Sequence, residues 1–117
     1  MTDQTHTFTE THLKALRLLD AVPQMSQRDL AIRLDVSLGK TNYCLNALLD
    51  RGLLTVKRFH NSQNKLAYAY LLTPQGIAKK TALTSQFLSR KIQEYEALRA
   101  EIESLQSEVV NEEGVAP

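Results

Sequence analysis

Two helix-start signals lie eleven residues apart, at Ser26 and Ser37, and they constrain the middle of this chain more than any other feature. The stretch reads SQRDLAIRLDVSLGKTNYCLNALLDRGLL, from Ser26 to Leu54. Ser26 is a good N-cap, and Asp29 three residues on is placed to act as its reciprocal partner in a near capping box. Leu30, Ala31 and Leu34 give a short apolar face that ends around Asp35 and Val36. Ser37 caps a second helix, in which Thr41, Cys44, Leu45, Leu48 and Leu49 fall on one side. Lys40, Asn42, Tyr43, Asn46 and Asp50 occupy the other side. Gly52 follows Arg51 where a helix ends in a left-handed glycine, with the arginine at the negative end of the helix dipole. Two short helices joined by a tight turn are the expected result.

The rest of the chain supplies what such a pair packs against. Leu13, Leu16, Leu19 and Val22, with Ala15 and Leu18 beside them, mark an amphipathic helix that starts at Thr9 or Thr11. Pro23 ends it, because the residue before a proline is driven out of the helical region. After Gly52, residues 53–59 and 65–72 read as two strands around the polar cluster His60 to Asn64, hence a hairpin with a long, mobile tip. Thr73-Pro74 opens another helix, with threonine as N-cap and proline at the first helical position. It is expected to run to about residue 110, roughly 55 Å at 1.5 Å per residue. The weak helix formers at Thr84 and Ser85 make a bend or break plausible there. Leu88, Ile92, Tyr95, Leu98, Ile102, Leu105 and Val109 then form a heptad-like seam of about three repeats. A second copy of the chain is the expected partner of that seam, and packing back on the first helix is the alternative.

The fold class is therefore mainly α with a small β-hairpin, a winged helix-turn-helix followed by a long C-terminal helix. The expected division is 9–80 for the winged domain, 81–110 for the dimerisation helix, and 1–8 and 111–117 for flexible tails. Of 117 residues 43% are hydrophobic, enough for a core that is marginal alone and that a dimer would support. The single Cys44 excludes an internal disulfide. Three scattered histidines, His6, His12 and His60, leave no metal site and no cofactor to assign, and His12 is expected on a helix surface. No apolar run spans a membrane and no signal-peptide pattern opens the chain, so a cytoplasmic protein is expected.

Net charge is only +1, but it is unevenly spread. Residues 26–80 hold nine basic and three acidic side chains, whereas residues 90–117 hold three basic and seven acidic. A basic body with an acidic arm suits a surface that meets a polyanion. A helix-turn-helix lays its second helix in the DNA major groove and reads bases from its first turns. Those turns hold Ser37, Leu38, Gly39, Lys40, Asn42 and Tyr43, with Asn46 one turn on. Asn42 and Asn46 are expected to pair with adenine edges, and Tyr43 to offer its hydroxyl to a phosphate while its ring packs on the hairpin. Ser26, Gln27 and Arg28 at the start of the preceding helix, and Arg58, His60, Asn61, Ser62, Asn64 and Lys65 at the hairpin tip, are the further expected contacts. Cys44 lies on the apolar face and is expected to pack there, with redox sensing as the alternative. No nucleophile, base and orienting group converge and no glycine-rich phosphate loop occurs, so an enzyme is not expected. The other function class is a protein-interaction module pairing through the C-terminal helix.

The order of these pieces resembles the winged-helix domain of MarR-type transcriptional regulators over residues 9–100. The Arg51-Gly52-Leu53 junction into the hairpin and the Leu72-Thr73-Pro74-Gln75-Gly76 junction out of it carry most of the likeness. Within that family the chain looks most like a small subgroup associated with exopolysaccharide gene clusters. The resemblance implies a symmetric homodimer on a palindromic double-stranded operator, with the contacts named above. Leu38 and Tyr43 stand where many members carry arginine. Larger relatives bind phenolic ligands between dimer interface and DNA-binding lobe, an arrangement for which the N-terminal segment here is too short, and no small-molecule effector is assigned.

Overall fold

The computed structural model describes residues 8–114, in the order α1 (Glu10–Ala21), α2 (Gln27–Leu34), α3 (Leu38–Asp50), β1 (Leu54–His60), β2 (Leu66–Leu72) and α4 (Pro74–Gly114). Local signals set most of these boundaries. Thr9 caps α1 and closes a full capping box with His12, whose ring nitrogen accepts from the Thr9 N–H at 3.0 Å. The Ser26 hydroxyl accepts from the Asp29 N–H at 3.0 Å, and that of Ser37 from the Lys40 N–H at the same distance. The reciprocal half expected of Asp29 does not form: its side chain is exposed, and at the first turn it serves only the helix dipole. Asp35 ends α2 in the left-handed region at φ 57°, which aspartate tolerates, and Gly52 follows α3 at φ 70°.

The chain divides into two compact units, one through Thr84 and one from Ser85. The first is a three-helix body with the hairpin attached. Leu16, Leu19, Leu30, Leu45 and Leu48 are essentially inaccessible, and Met25, Leu34, Cys44, Leu53 and Leu54 complete the cluster. The hairpin is antiparallel, with Leu54 opposite Leu72, Val56 opposite Tyr70 and Arg58 opposite Tyr68. It is held to the helices through β2, whose Tyr70 N–H donates to the Pro23 carbonyl between α1 and α2 at 2.9 Å. At its tip Asn61 accepts through its side chain from the Gln63 and Lys65 N–H groups, and Asn64 takes a left-handed φ of 58°. The base of the hairpin is closed where the Leu53 carbonyl accepts from the Thr73 N–H at 3.1 Å. Gly76, one turn into α4, passes directly over that carbonyl.

Two expectations at the ends of elements need correction. Phe8, assigned to a flexible tail, packs against the core, with the His12 ring edge-on at 5.1 Å and the Arg51 and Lys79 cations over its face. Residues 1–7 and 115–117 of the expected tails lie outside the described residues. The helix expected to stop near residue 110 continues through Gly114. No break occurs at Thr84-Ser85; within the helix the Thr81 and Thr84 hydroxyls donate to the carbonyls one turn back, at Ile77 and Lys80.

The unit from Ser85 is helical to Gly114. Its seam positions Leu88, Ile92, Tyr95, Leu98, Ile102, Leu105 and Val109 are all between 45% and 61% exposed. Lys91–Glu94 and Arg99–Glu103 pairs, at 3.3 and 3.4 Å, stand on the same helix.

Candidate nucleic-acid interface

The outward side of α3 is open along its length. Ser37, Leu38, Gly39, Lys40, Asn42, Tyr43 and Asn46 are all exposed, while Thr41, Cys44, Leu45 and Leu48 on the opposite side are buried. The packing of the buried side thus fixes which side chains point out. Ser37 spends one lone pair as the helix cap, which leaves its hydroxyl proton for another acceptor. Tyr43 is 72% exposed, so its ring does not pack on the hairpin as expected.

Gly39 has nothing to avoid. A Cβ placed there meets only the Ser37 oxygen, at 3.9 Å. A glycine in this second helical position costs helix stability without any demand from packing. Gly39→Ala is therefore expected to stabilise the free protein by about 0.5–1 kcal/mol. If the bare backbone serves close approach to a duplex, the same change weakens DNA binding. Thermal denaturation and a binding titration on one preparation check both signs.

Three of the expected contact groups are brought together. Gln27, at the start of α2, accepts from the Asn42 side-chain N–H at 3.3 Å and donates to the Tyr70 hydroxyl at 2.9 Å. Asn46 donates to the Asn42 oxygen at 2.9 Å. Arg58 projects from the same face of the hairpin as Tyr68 and Tyr70, with its guanidinium 5.9 Å from the Tyr68 ring centre. Gln27, Val56, Arg58, Tyr68 and Tyr70 line one groove between α2 and the hairpin. Ser26 and Arg28 are exposed beside it. His60, Asn61, Ser62, Asn64 and Lys65 are exposed at or next to the tip, away from that groove, with Asn61 engaged in holding the turn.

Tyr70 is not among the residues that the sequence points to, and His12 is expected only as a helix-surface residue. The signal for Tyr70 was Tyr68-Ala69-Tyr70, two hydroxyl-bearing rings on one strand face across a small residue. His12 is half-buried rather than a plain surface residue. Its pKa lies below the usual histidine value, first because burial penalises the imidazolium and then because Lys40 adds like charge. Burial likewise pushes the Cys44 thiol up to about 11, against the smaller opposing effect of Lys40. Cys44 therefore packs as a hydrophobe. Among the described residues no group of His, Cys, Asp or Glu is arranged to hold a metal, and no helix is long and apolar enough to cross a membrane.

Residues 8–55 match the family model described as winged helix-turn-helix DNA-binding. No curated protein matches the sequence. Among solved structures, the PcaV transcriptional regulator of Streptomyces coelicolor, solved with its natural ligand, is similar over 91% of this chain and 77% of its own, at 20% identity and a TM-score of 0.62. MepR, a transcription regulator of the Staphylococcus aureus multidrug efflux pump MepA, aligns over 87% and 80% at 23% identity and a TM-score of 0.57. The S. aureus MepR–DNA complex aligns over 87% and 78% at 22% identity and a TM-score of 0.58. These likenesses establish a shared winged helix-turn-helix fold with a long C-terminal helix. The proteins matched are transcriptional regulators, not enzymes.

Proposed function

We propose that this chain is a sequence-specific DNA-binding transcriptional regulator of the MarR type, acting in the cytoplasm as a homodimer. Its targets are exopolysaccharide genes, the class that the sequence resemblance nominates. The observation that carries the reading is the unobstructed outer side of α3, with Lys40, Asn42 and Asn46 exposed on a helix whose other side is locked in the core. The fold shared with MepR, a regulator solved on DNA, supports it.

In this reading two α3 helices of a dimer enter successive major grooves about 34 Å apart. Lys40 lies where a cation reaches either a guanine edge or a phosphate, and Asn42 and Asn46 carry the amides suited to adenine. Ser37, Leu38, Gly39 and Tyr43 form the rest of the surface laid against the groove. Ser26, Gln27 and Arg28, with Arg58 and Lys65 of the hairpin, flank it and meet phosphates; His60, Asn61, Ser62 and Asn64 line the tip that approaches the minor groove. The seam of α4, from Leu88 to Val109, joins the two copies.

The test is a gel-shift with DNA from upstream of the protein's own gene and of exopolysaccharide genes, across a salt series and with non-specific competitor. A retarded band that survives competitor is expected. Lys40→Ala is expected to cost about 1–3 kcal/mol if Lys40 reads a base, or to lower the salt slope by about one if it touches phosphate. A band lost to competitor at every fragment, with self-association intact, favours the interaction module instead.

A further inference from the structure

We infer that Gln27 and Tyr70 are positioning residues for base reading by α3, and that Asn46 is the amide they present to the duplex. The inference rests on the DNA-reading function proposed above. Four side chains from three elements form one directional chain of hydrogen bonds. Asn46 Nδ2 donates to Asn42 Oδ1 at 2.9 Å, Asn42 Nδ2 to Gln27 Oε1 at 3.3 Å, and Gln27 Nε2 to Tyr70 Oη at 2.9 Å.

An amide has a donor end and an acceptor end. Turning Asn42 alone by half a turn sets nitrogen against nitrogen and oxygen against oxygen and breaks both of its bonds, and turning Gln27 alone breaks its bond to Asn42 while the Tyr70 hydroxyl, able to donate as well as accept, stays paired. The amides are therefore oriented as a set. The set is anchored where the protein is firm. Gln27 is half-buried at the capped start of α2, and Tyr70 sits in β2 with its backbone N–H on the Pro23 carbonyl. The far end is exposed: Asn42 and Asn46 both face outward from α3.

The chain consumes the groups of its members unequally. Asn42 has its oxygen on Asn46 and a proton on Gln27, whereas Asn46 gives one N–H and uses its oxygen nowhere in the chain. Reading adenine takes an amide oxygen for N6–H and an N–H for N7, and Asn46 retains both. Asn42 becomes the link that holds Asn46 still. An exposed asparagine would otherwise lose its rotational freedom only on binding, so a preset amide favours the complex. The consequence is specific: a tyrosine on the hairpin, touching no base, contributes to discrimination at one base pair.

The experiment is selection of binding sites from a random 20-base-pair duplex library by the full-length protein, run for wild type, N46A, Y70F and Q27M. N46A is expected to lose its preference at one base pair of each half-site. Y70F and Q27M are expected to reduce the preference at that same pair by about fivefold, the effect of one hydrogen bond, and in Y70F, which loses no DNA contact, other positions and the salt slope stay as in wild type. Side-chain amide spectra of the free protein give an arm without DNA: the Asn42 and Asn46 Nδ2–H signals shift in Y70F while the backbone spectrum stays folded. Unshifted side-chain signals overturn the chain. Wild-type preference in Y70F and Q27M, or a loss spread evenly over all positions in Y70F, overturns the positioning role. A wild type that enriches no sequence removes the DNA-reading function itself, and this assignment with it, even where the amide signals shift.

Discussion

Gly76→Ala is expected to lower the melting temperature by roughly 10 °C or more, and to leave little folded protein at 37 °C if the starting margin is small. The added Cβ would lie 2.0 Å from the Leu53 carbonyl oxygen and 3.0 Å from its carbon. Neither atom can swing aside, because both are backbone. The same carbonyl accepts from the Thr73 N–H and so ties the base of the hairpin to the start of α4. The Thr73 hydroxyl in turn joins the Gly52 carbonyl and accepts from the Gly76 N–H at 3.0 Å. Relieving the clash means pulling this knot apart. Overpacking in a filled site costs about 1–3 kcal/mol, and a collision with fixed backbone belongs at the top of that range or beyond. Gly114→Ala is the control, since a Cβ there meets nothing within 4 Å. Thermal denaturation of the two variants side by side decides it; equal melting temperatures would mean the α4 turn slides over Leu53 freely.

Leu98→Glu is expected to leave the single chain folded but to abolish self-association and cut operator affinity by about 10²–10⁴. Leu98 is 54% exposed, so a carboxylate there finds water within one chain. In a paired seam the same carboxylate would be buried twice, once from each copy, without a cation opposite. Each seam residue still has about half its surface to lose, so sealing one contributes about half of the ~1.5–3 kcal/mol of a full burial. The affinity loss follows from geometry rather than from any lost DNA contact, since a monomer forfeits the effective concentration that holds the second half-site. Sedimentation equilibrium reads the mass against 13.2 kDa for one chain, and a titration on a two-half-site duplex reads the affinity. An unchanged mass places the dimer contact elsewhere.

The elements whose causes are local could be read from the letters. Ser26, Ser37 and Thr73 announce helix starts through hydroxyls that reach three residues on, and Gly52 announces an end through its φ. The inward side of α3 follows from spacing alone, and its outward side follows from the inward one. What escaped depends on partners distant in sequence. Gln27 meets Tyr70 across 43 residues, and Gly76 meets Leu53 across a hairpin. Phe8 meets Arg51 and Lys79 from a segment whose letters read only as a polar lead-in. None of these leaves a period in the sequence. Thr84 and Ser85 are weak helix formers by their letters, yet the helix runs on through both, two such residues costing it only fractions of a kcal/mol each. Asp29 read as half of a capping box because the spacing allowed it, yet a short exposed carboxylate gains little by leaving water.

The depth of Cys44 carries a consequence for its reactivity. With burial pushing the thiol up to about 11 and the residue only 3% exposed, Cys44 is rarely a thiolate at neutral pH. Peroxide and disulfide donors find little purchase on α3 through this thiol. Any reaction at Cys44 would first require the core around it to open.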